Sequence, residues 1–290
     1  MMSAATSRFE VAAAATEPSA APLQRGDGAV ELAFARHGAA TRVHRLYHRA
    51  PCRVHVPHAP ANEPVLALLL NTAGGLTGGD RVSIAVSAQA AASATLSTAA
   101  AEKLYRSLGP DCAVAVDLTV GDGAWLEWLP QETILFEGAR LRRSLSARVA
   151  LTGRFLAAEM LVFGRIARGE RWTNGSLRDK WRIERARELA WYDSICLGGD
   201  AVAHPAAIGG ADALATAAYI GADAGRHLPL ARDLTDDLPC RAGATLVHGV
   251  LVARFLGSAV AVRASLAHYV GELRHGAAGL PARPPRVWNI

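Results

Sequence analysis

From about residue 29 to 190, apolar and polar positions alternate with a period of two, the pattern of strands with one dry and one wet face. In "RVSIAVS" the apolar side holds Val82, Ile84 and Val86, and in "AVAVDLTV" it holds Val114, Val116, Leu118 and Val120. "SLSARVAL" repeats the pattern with Leu145, Ala147, Val149 and Leu151. "SLRDKWRIERA" sets Leu177, Trp181 and Ile183 on one parity and Arg178, Lys180, Arg182 and Glu184 on the other, a strand with a solvated charged face. Turn signals separate these runs at Gly78-Gly79-Asp80, Gly121-Asp122-Gly123, Glu137-Gly138 and Thr152-Gly153. Short strands at this spacing predict a sandwich, a barrel or a solenoid, and no fixed repeat decides between them.

After residue 200 the pattern changes. "HLPLARDLTDDL" predicts a short helix, and "GATLVHGVLVARFLG" returns to strand. In "SAVAVRASLAHYVGELRHG", Val260, Ala264, Ala267, Val270 and Leu273 recur at helical spacing. That predicts a helix over about 258–275 with Ser258 as its N-cap and Gly276 as its stop. The ending, 280–290, is too rich in proline for helix or inner strand, and its Trp288 reads as a docking anchor or partner contact. Residues 1–28 are alanine-rich but carry Arg8, Glu10 and Glu17, and they read as a mobile tail rather than a secretory signal. The expected fold is a single domain over 29–290: mainly β, a large multi-stranded sandwich or solenoid-like architecture, with a few helices mostly in the C-terminal third.

Composition narrows the partners. Hydrophobic residues make up 51% and charged residues 20%, as in globular chains, and the formal charge of +5 is too modest to imply nucleic acid by itself. No apolar run reaches about 18 residues, so no membrane span is expected. Cys52, Cys112, Cys196 and Cys240 are scattered without a CxxC pair, which suggests reduced thiols in a cytoplasmic protein.

The stretch "LLLNTAGGLTGGDRVSIAVS" raises the question of phosphate binding. A P-loop needs a lysine after its glycines, and a dinucleotide loop needs GxGxxG opening a helix. Here Asp80-Arg81 follow Gly79 and a strand comes next. Gly74, Gly75, Gly78 and Gly79 therefore read as a structural loop, with Asp80 bonding its amides. His44 and His48, and His55 and His58 near Cys52, have spacings that metals use. Pro51, Pro57 and Pro60 make the later half extended, so no tight permanent metal site is expected. "GAWLEWLPQETILFEGARLRRS" places Glu127, Glu132 and Glu137 among bulky apolar groups, either as wet-face carboxylates or as an acid–base set. One reading is accordingly a small-molecule enzyme working with Asp80, Glu132 and Glu137.

Several segments together resemble one family. "NTAGGLTGGDRVSI", "LSTAAAEKLYRS", "GAWLEWLPQETILFEGARLRRS", "FGRIARGE" and "PRVWNI" are similar, in content and order, to motifs of the urease accessory protein family UreD, also called UreH. The resemblance spans about residues 68 to 290. It departs at Thr72-Ala73, where many members carry two prolines, and at "STAAAEKLYRS", where many read "TTPGATKFYRS". What the resemblance implies is a non-enzymatic, mainly β chaperone that binds apo-urease and UreF, and through UreF the GTPase UreG, with two copies in the complex. It also implies transient handling of Ni2+ on its way to urease through a water-filled passage, with no permanently bound cofactor. A passage holds an ion weakly at several places. Asp80, Thr98, Glu132, Glu137 and Glu159, isolated polar residues in apolar strand contexts, are its candidate path. Glu159 shares strand parity with Ala157 and Leu161 and so needs a partner or water. Arg154 or Arg165 would supply an ion pair.

Overall fold

A computed structural model describes residues 24–58, 60 and 62–289, and the alternating segments appear in it as strands. In chain order they are β1 (Asp27–His37), β2 (Ala40–Arg49), β3 (Cys52–His55), β4 (Val65–Asn71), β5 (Arg81–Ala88), β6 (Ser93–Thr98) and β7 (Glu102–Leu104). Next come β8 (Cys112–Val120), β9 (Trp125–Trp128), β10 (Thr133–Leu135), β11 (Arg140–Val149), β12 (Arg154–Phe163), β13 (Ser176–Arg185) and β14 (Glu188–Gly198). The C-terminal part adds β15 (Ala213–Ile220), α1 (Leu228–Asp233), β16 (Arg241–Val247), β17 (Val250–Gly257) and α2 (Ala259–Ala278). Most of the expected tail, up to residue 23, lies outside the described residues, and Asp27 already opens the first strand.

Two sheets face each other. One has the order β14-β13-β11-β8-β5-β1-β2; the other runs β16-β17-β15-β12-β9-β6-β4-β3, with β7 and β10 along its flank. From β4 to β13 the chain alternates between the sheets, and its strands stack in parallel on those of the previous turn. Ser93 lies beside Trp125 and Trp125 beside Arg154; Cys112 lies beside Leu141 and Arg140 beside Ser176. These are the stacked coils of a solenoid, with about 30 residues per coil. Coil length varies from one turn to the next, which hides the repeat in the sequence. After β13 the pairing turns antiparallel, and β14 to β17 close the stack.

The predicted apolar parities meet between the sheets. Val82, Ile84, Val86, Leu118, Leu145, Leu177 and Ile183 pack there with Leu96, Leu126 and Phe155. The outer face of the second sheet is buried as well, beneath α2, where Leu156, Met160, Tyr219 and Phe255 meet Val262, Leu266, Tyr269 and Leu273. β12 is thus dry on both faces, which explains why "RFLAAEMLVF" is apolar after Arg154 except at Glu159. Ser258 caps α2, its hydroxyl accepting from the Ala261 amide, but the helix runs through Gly276 and ends at Gly279 in the left-handed conformation. The expected stripe holds in its second half, where Val270 and Leu273 are buried, but not in its first: Val260 is 81% exposed, Ala264 is exposed and Val262 is buried instead. With alanine on every side of this helix, more than one face satisfies the spacing, and packing chooses the one carrying Leu266 and Tyr269.

Trp288 is folded into its own chain, 6% exposed, with its indole N–H donating to the Leu129 carbonyl at 3.0 Å. It is an intramolecular anchor rather than a free contact surface. The glycine loop is backbone architecture. A Cβ on Gly78 would overlap the Ser107 side chain and the Pro110 carbonyl, and Gly79 has φ +91°.

Candidate functional site

Between the sheets, on the flank where β7 and β10 run, lies a cavity of about 270 Å³. Its walls are apolar, from Val30, Val82 and Ile84 on one sheet to Leu69 and Trp128 on the other. Polar groups punctuate it at two ends.

The outer end is formed by Cys52, Asn71 and Glu102, beside the exposed Gly74 and Lys103. Asn71 and Cys52 are neighbours across the β3–β4 ladder, and the Asn71 amide donates to the Glu102 carboxylate at 3.1 and 3.3 Å. Burial raises the Glu102 acid above its ordinary range. Burial, reinforced by the Glu102 charge, pushes the Cys52 thiol up to about 11. Cys52 is therefore a neutral thiol near pH 7, and a metal would have to displace its proton to bind sulfur.

The inner end holds Arg143 and Glu159. β11 and β13 are in register, so Arg143 sits opposite Asp179 and makes a bidentate pair with it, at 2.9 and 2.7 Å. Glu159 faces the same guanidinium from β12. The Trp128 indole N–H donates to its Oε1 at 2.8 Å. Oε2 lies 3.1 Å from Arg143 Nη2 but accepts no well-formed hydrogen bond, and the Trp181 indole is a further donor near the carboxylate. Glu159 is 4% exposed and lines the cavity, so a buried carboxylate with one unfilled oxygen stands at the cavity wall. Burial raises the Glu159 acid, and Arg143 and Trp128 only partly oppose the rise. For Arg143 burial works against the charge, but Asp179 and Glu159 outweigh it and hold the guanidinium protonated.

Of the five residues expected along a passage, two reach this cavity, Thr98 and Glu159. Thr98 accepts the Gln131 amide at 2.9 Å. The other three are occupied elsewhere. Asp80 accepts the amides of Gly26 and Thr77, at 2.7 and 2.8 Å, and ties the glycine loop to the start of β1. Glu132 pairs with Arg263 of α2. Glu137 accepts the Thr173 amide and hydroxyl, at 2.7 and 3.0 Å, and fixes the loop before β13. Asp80, Glu132 and Glu137 therefore share no pocket, and the acid–base set expected of an enzyme is not assembled by them. The ion pair foreseen for Glu159 exists, but with Arg143. Arg154 donates to the Ala277 carbonyl, and Arg165 pairs with Glu170.

Sequence reasoning missed Arg143 and Asp179. A signal was present: each breaks an apolar parity, Arg143 between Leu141 and Leu145 and Asp179 between Leu177 and Trp181. Glu102 and Asn71 gave no such signal. Glu127, which alternation left open, forms a second buried pair. Arg274 of α2 meets it at 2.9 and 3.0 Å, both residues have no measurable exposure, and the Thr95 hydroxyl donates to the same carboxylate. The described histidines and cysteines form no metal cluster with carboxylates. No described helix is long and apolar enough to cross a membrane.

Comparison with known proteins gives a consistent result. The family described as "UreD urease accessory protein" matches residues 26–289. A urease accessory protein UreD from Magnetococcus marinus is 41% identical over 278 residues, covering 93% of this chain and 96% of that protein. One from Granulibacter bethesdensis is 43% identical over 236 residues, covering 80% and 98%. Urease accessory protein UreD 1 from Methylobacterium radiotolerans is 42% identical over 280 residues, covering 93% and 94%.

Proposed function

Because this chain belongs to the UreD family of urease accessory proteins, we propose that it is a non-catalytic scaffold of urease maturation that passes nickel through its interior. In this reading it works in the cytoplasm, joins apo-urease to UreF and through UreF to the GTPase UreG, and stands as two copies in the assembly. Ni2+ is its cargo and no cofactor stays bound. The observation that carries the reading is the cavity of about 270 Å³ with isolated polar groups at both ends and an open carboxylate oxygen at Glu159.

Nickel is borderline in softness and accepts carboxylate, amide and water oxygen as well as thiolate sulfur. Cys52, Asn71 and Glu102 at one end, Thr98 and Gln131 along the wall and Glu159 at the other offer such donors one or two at a time. Ligands spread in this way favour transit over capture. The glycine loop serves the passage only indirectly, since Gly74 borders its outer end and Gly78 lets the neighbouring turn approach.

The test is reconstitution. The chain, co-expressed with UreF and UreG, is expected to co-purify with them and to be required for nickel loading of apo-urease, read as metal content and urea hydrolysis. Glu159→Leu should leave the complex intact and lower nickel loading several-fold. If no complex forms, or urease loads equally well without the chain, the proposal fails.

A further inference from the structure

We propose that the free edge of β2 docks an extended segment of a partner protein in which acidic and apolar residues alternate, adding it to the seven-stranded sheet as a further strand. β2 is the end strand of that sheet and, among the described residues, pairs only with β1. Its ten residues leave about 33 Å of strand edge whose outward N–H and C=O groups have no ladder partner among the described residues.

The register with β1 fixes what each face of that edge presents, because residues paired across a ladder point the same way. Val43 pairs with Phe34, Leu46 with Leu32 and His48 with Val30. Those β1 residues are core, but Leu46 is 42% exposed, so the core face runs out past its cover. Arg42 pairs with Ala35, Arg45 with Ala33, Tyr47 with Glu31 and Arg49 with Ala29, and these form the outer face. The charge that β2 itself contributes to that face is of one sign. From Arg36 to Asn62 the sequence holds five arginines, five histidines and no acid. Arg45 is balanced by Glu31 at 2.7 Å and Arg49 by Asp27 at 2.8 Å, both pairs well exposed. Among the described residues Arg42 has no ion-pair partner.

This arrangement selects its occupant. A second copy placed β2 against β2 would set arginine against arginine, which a ladder disfavours. An incoming strand with an acid at every other position meets Arg42, Arg45 and Arg49 on one face and lays its apolar residues beside Val43 and Leu46 on the other. The arginines thus block self-pairing and admit an acidic strand.

The test uses the full chain and a labelled ten-residue peptide of alternating Glu and Val. Its controls are a scrambled peptide of equal composition, a Lys–Val alternation and a short RNA. The Glu–Val peptide is expected to bind best and to slow amide exchange across residues 40–49. Reversal of Arg42, Arg45 and Arg49 to Glu should weaken binding at least tenfold. Leu46→Asp, which leaves every arginine in place, should also weaken it. Equal binding of the scrambled peptide, tighter binding of RNA, unprotected 40–49 amides or no binding at all would overturn the proposal. So would self-association that protects the same amides, since that would give the edge to a second copy through β14.

Discussion

Two buried arginine–carboxylate groups stand on opposite faces of the second sheet, and they are built differently. Beneath α2, Glu127 and Arg274 are matched fork to fork, and the remaining lone pairs and protons are filled by Thr95 and by the carbonyls of Pro281 and Arg283. Between the sheets, Arg143 is matched to Asp179, and Glu159 is left over with one oxygen undonated. The first group does not line the cavity between the sheets, whereas the second borders it. A closed set of partners marks a clasp, here holding the C-terminal helix and tail on the coils. A set with a spare acceptor facing a cavity has capacity for something else. The apolar interior demands that buried charges be paired, so an exception is informative.

The largest effect should come from breaking the clasp. Arg274→Met strands a fully buried carboxylate, at a cost of about 3–5 kcal/mol. Replacing both partners, Glu127→Leu with Arg274→Met, should recover most of that loss. Urea unfolding of the three chains measures it, and equal midpoints for the single and double variants would remove the clasp from the argument. Arg143→Met should cost less, about 2–3 kcal/mol. It strands Asp179, but Glu159 faces a cavity roomy enough for water and can itself take up a proton. An Arg143→Met loss as large as that of Arg274→Met would mean that the cavity end is as closed as the clasp.

How much of this was legible follows from how far each feature reaches along the chain. Alternation is local, so the faces of β5, β8, β11 and β13 could be read from Val82, Leu118, Leu145 and Ile183. The coils could not, because their lengths differ, and the first half of the helix stripe was misplaced because alanines leave several faces equivalent. Carboxylate roles were the least legible. Whether Glu132 faces a passage or an arginine is decided by Arg263, delivered by a helix 131 residues away. Glu137 is decided by Thr173 across a turn. Glu159 was identified because its parity alone, beside Ala157 and Leu161, put it in the dry layer. The same test applied to Arg143 and Asp179 would have found its partners.

The smallest effect separates the two groups by pH. Burial raises the folded-state pKa of Glu159 above the ordinary glutamate value of 4.5. A carboxyl shifted upward makes the folded chain bind more protons than the unfolded one within that interval. Its contribution is complete below about pH 4.5 and is lost as pH rises through the folded value, with a limiting slope of about 1.4 kcal/mol per pH unit. Glu159→Gln removes that proton and keeps the shape. The wild type should therefore lose stability relative to the Gln variant as pH climbs from 4.5, and the two should converge in acid. Glu102, also raised by burial, titrates in both chains and cancels from the difference. Urea midpoints at a series of pH values read the gap directly. Parallel curves would show that Arg143 already neutralises Glu159 as completely as Arg274 holds Glu127, and the contrast between an open group and a closed one would disappear.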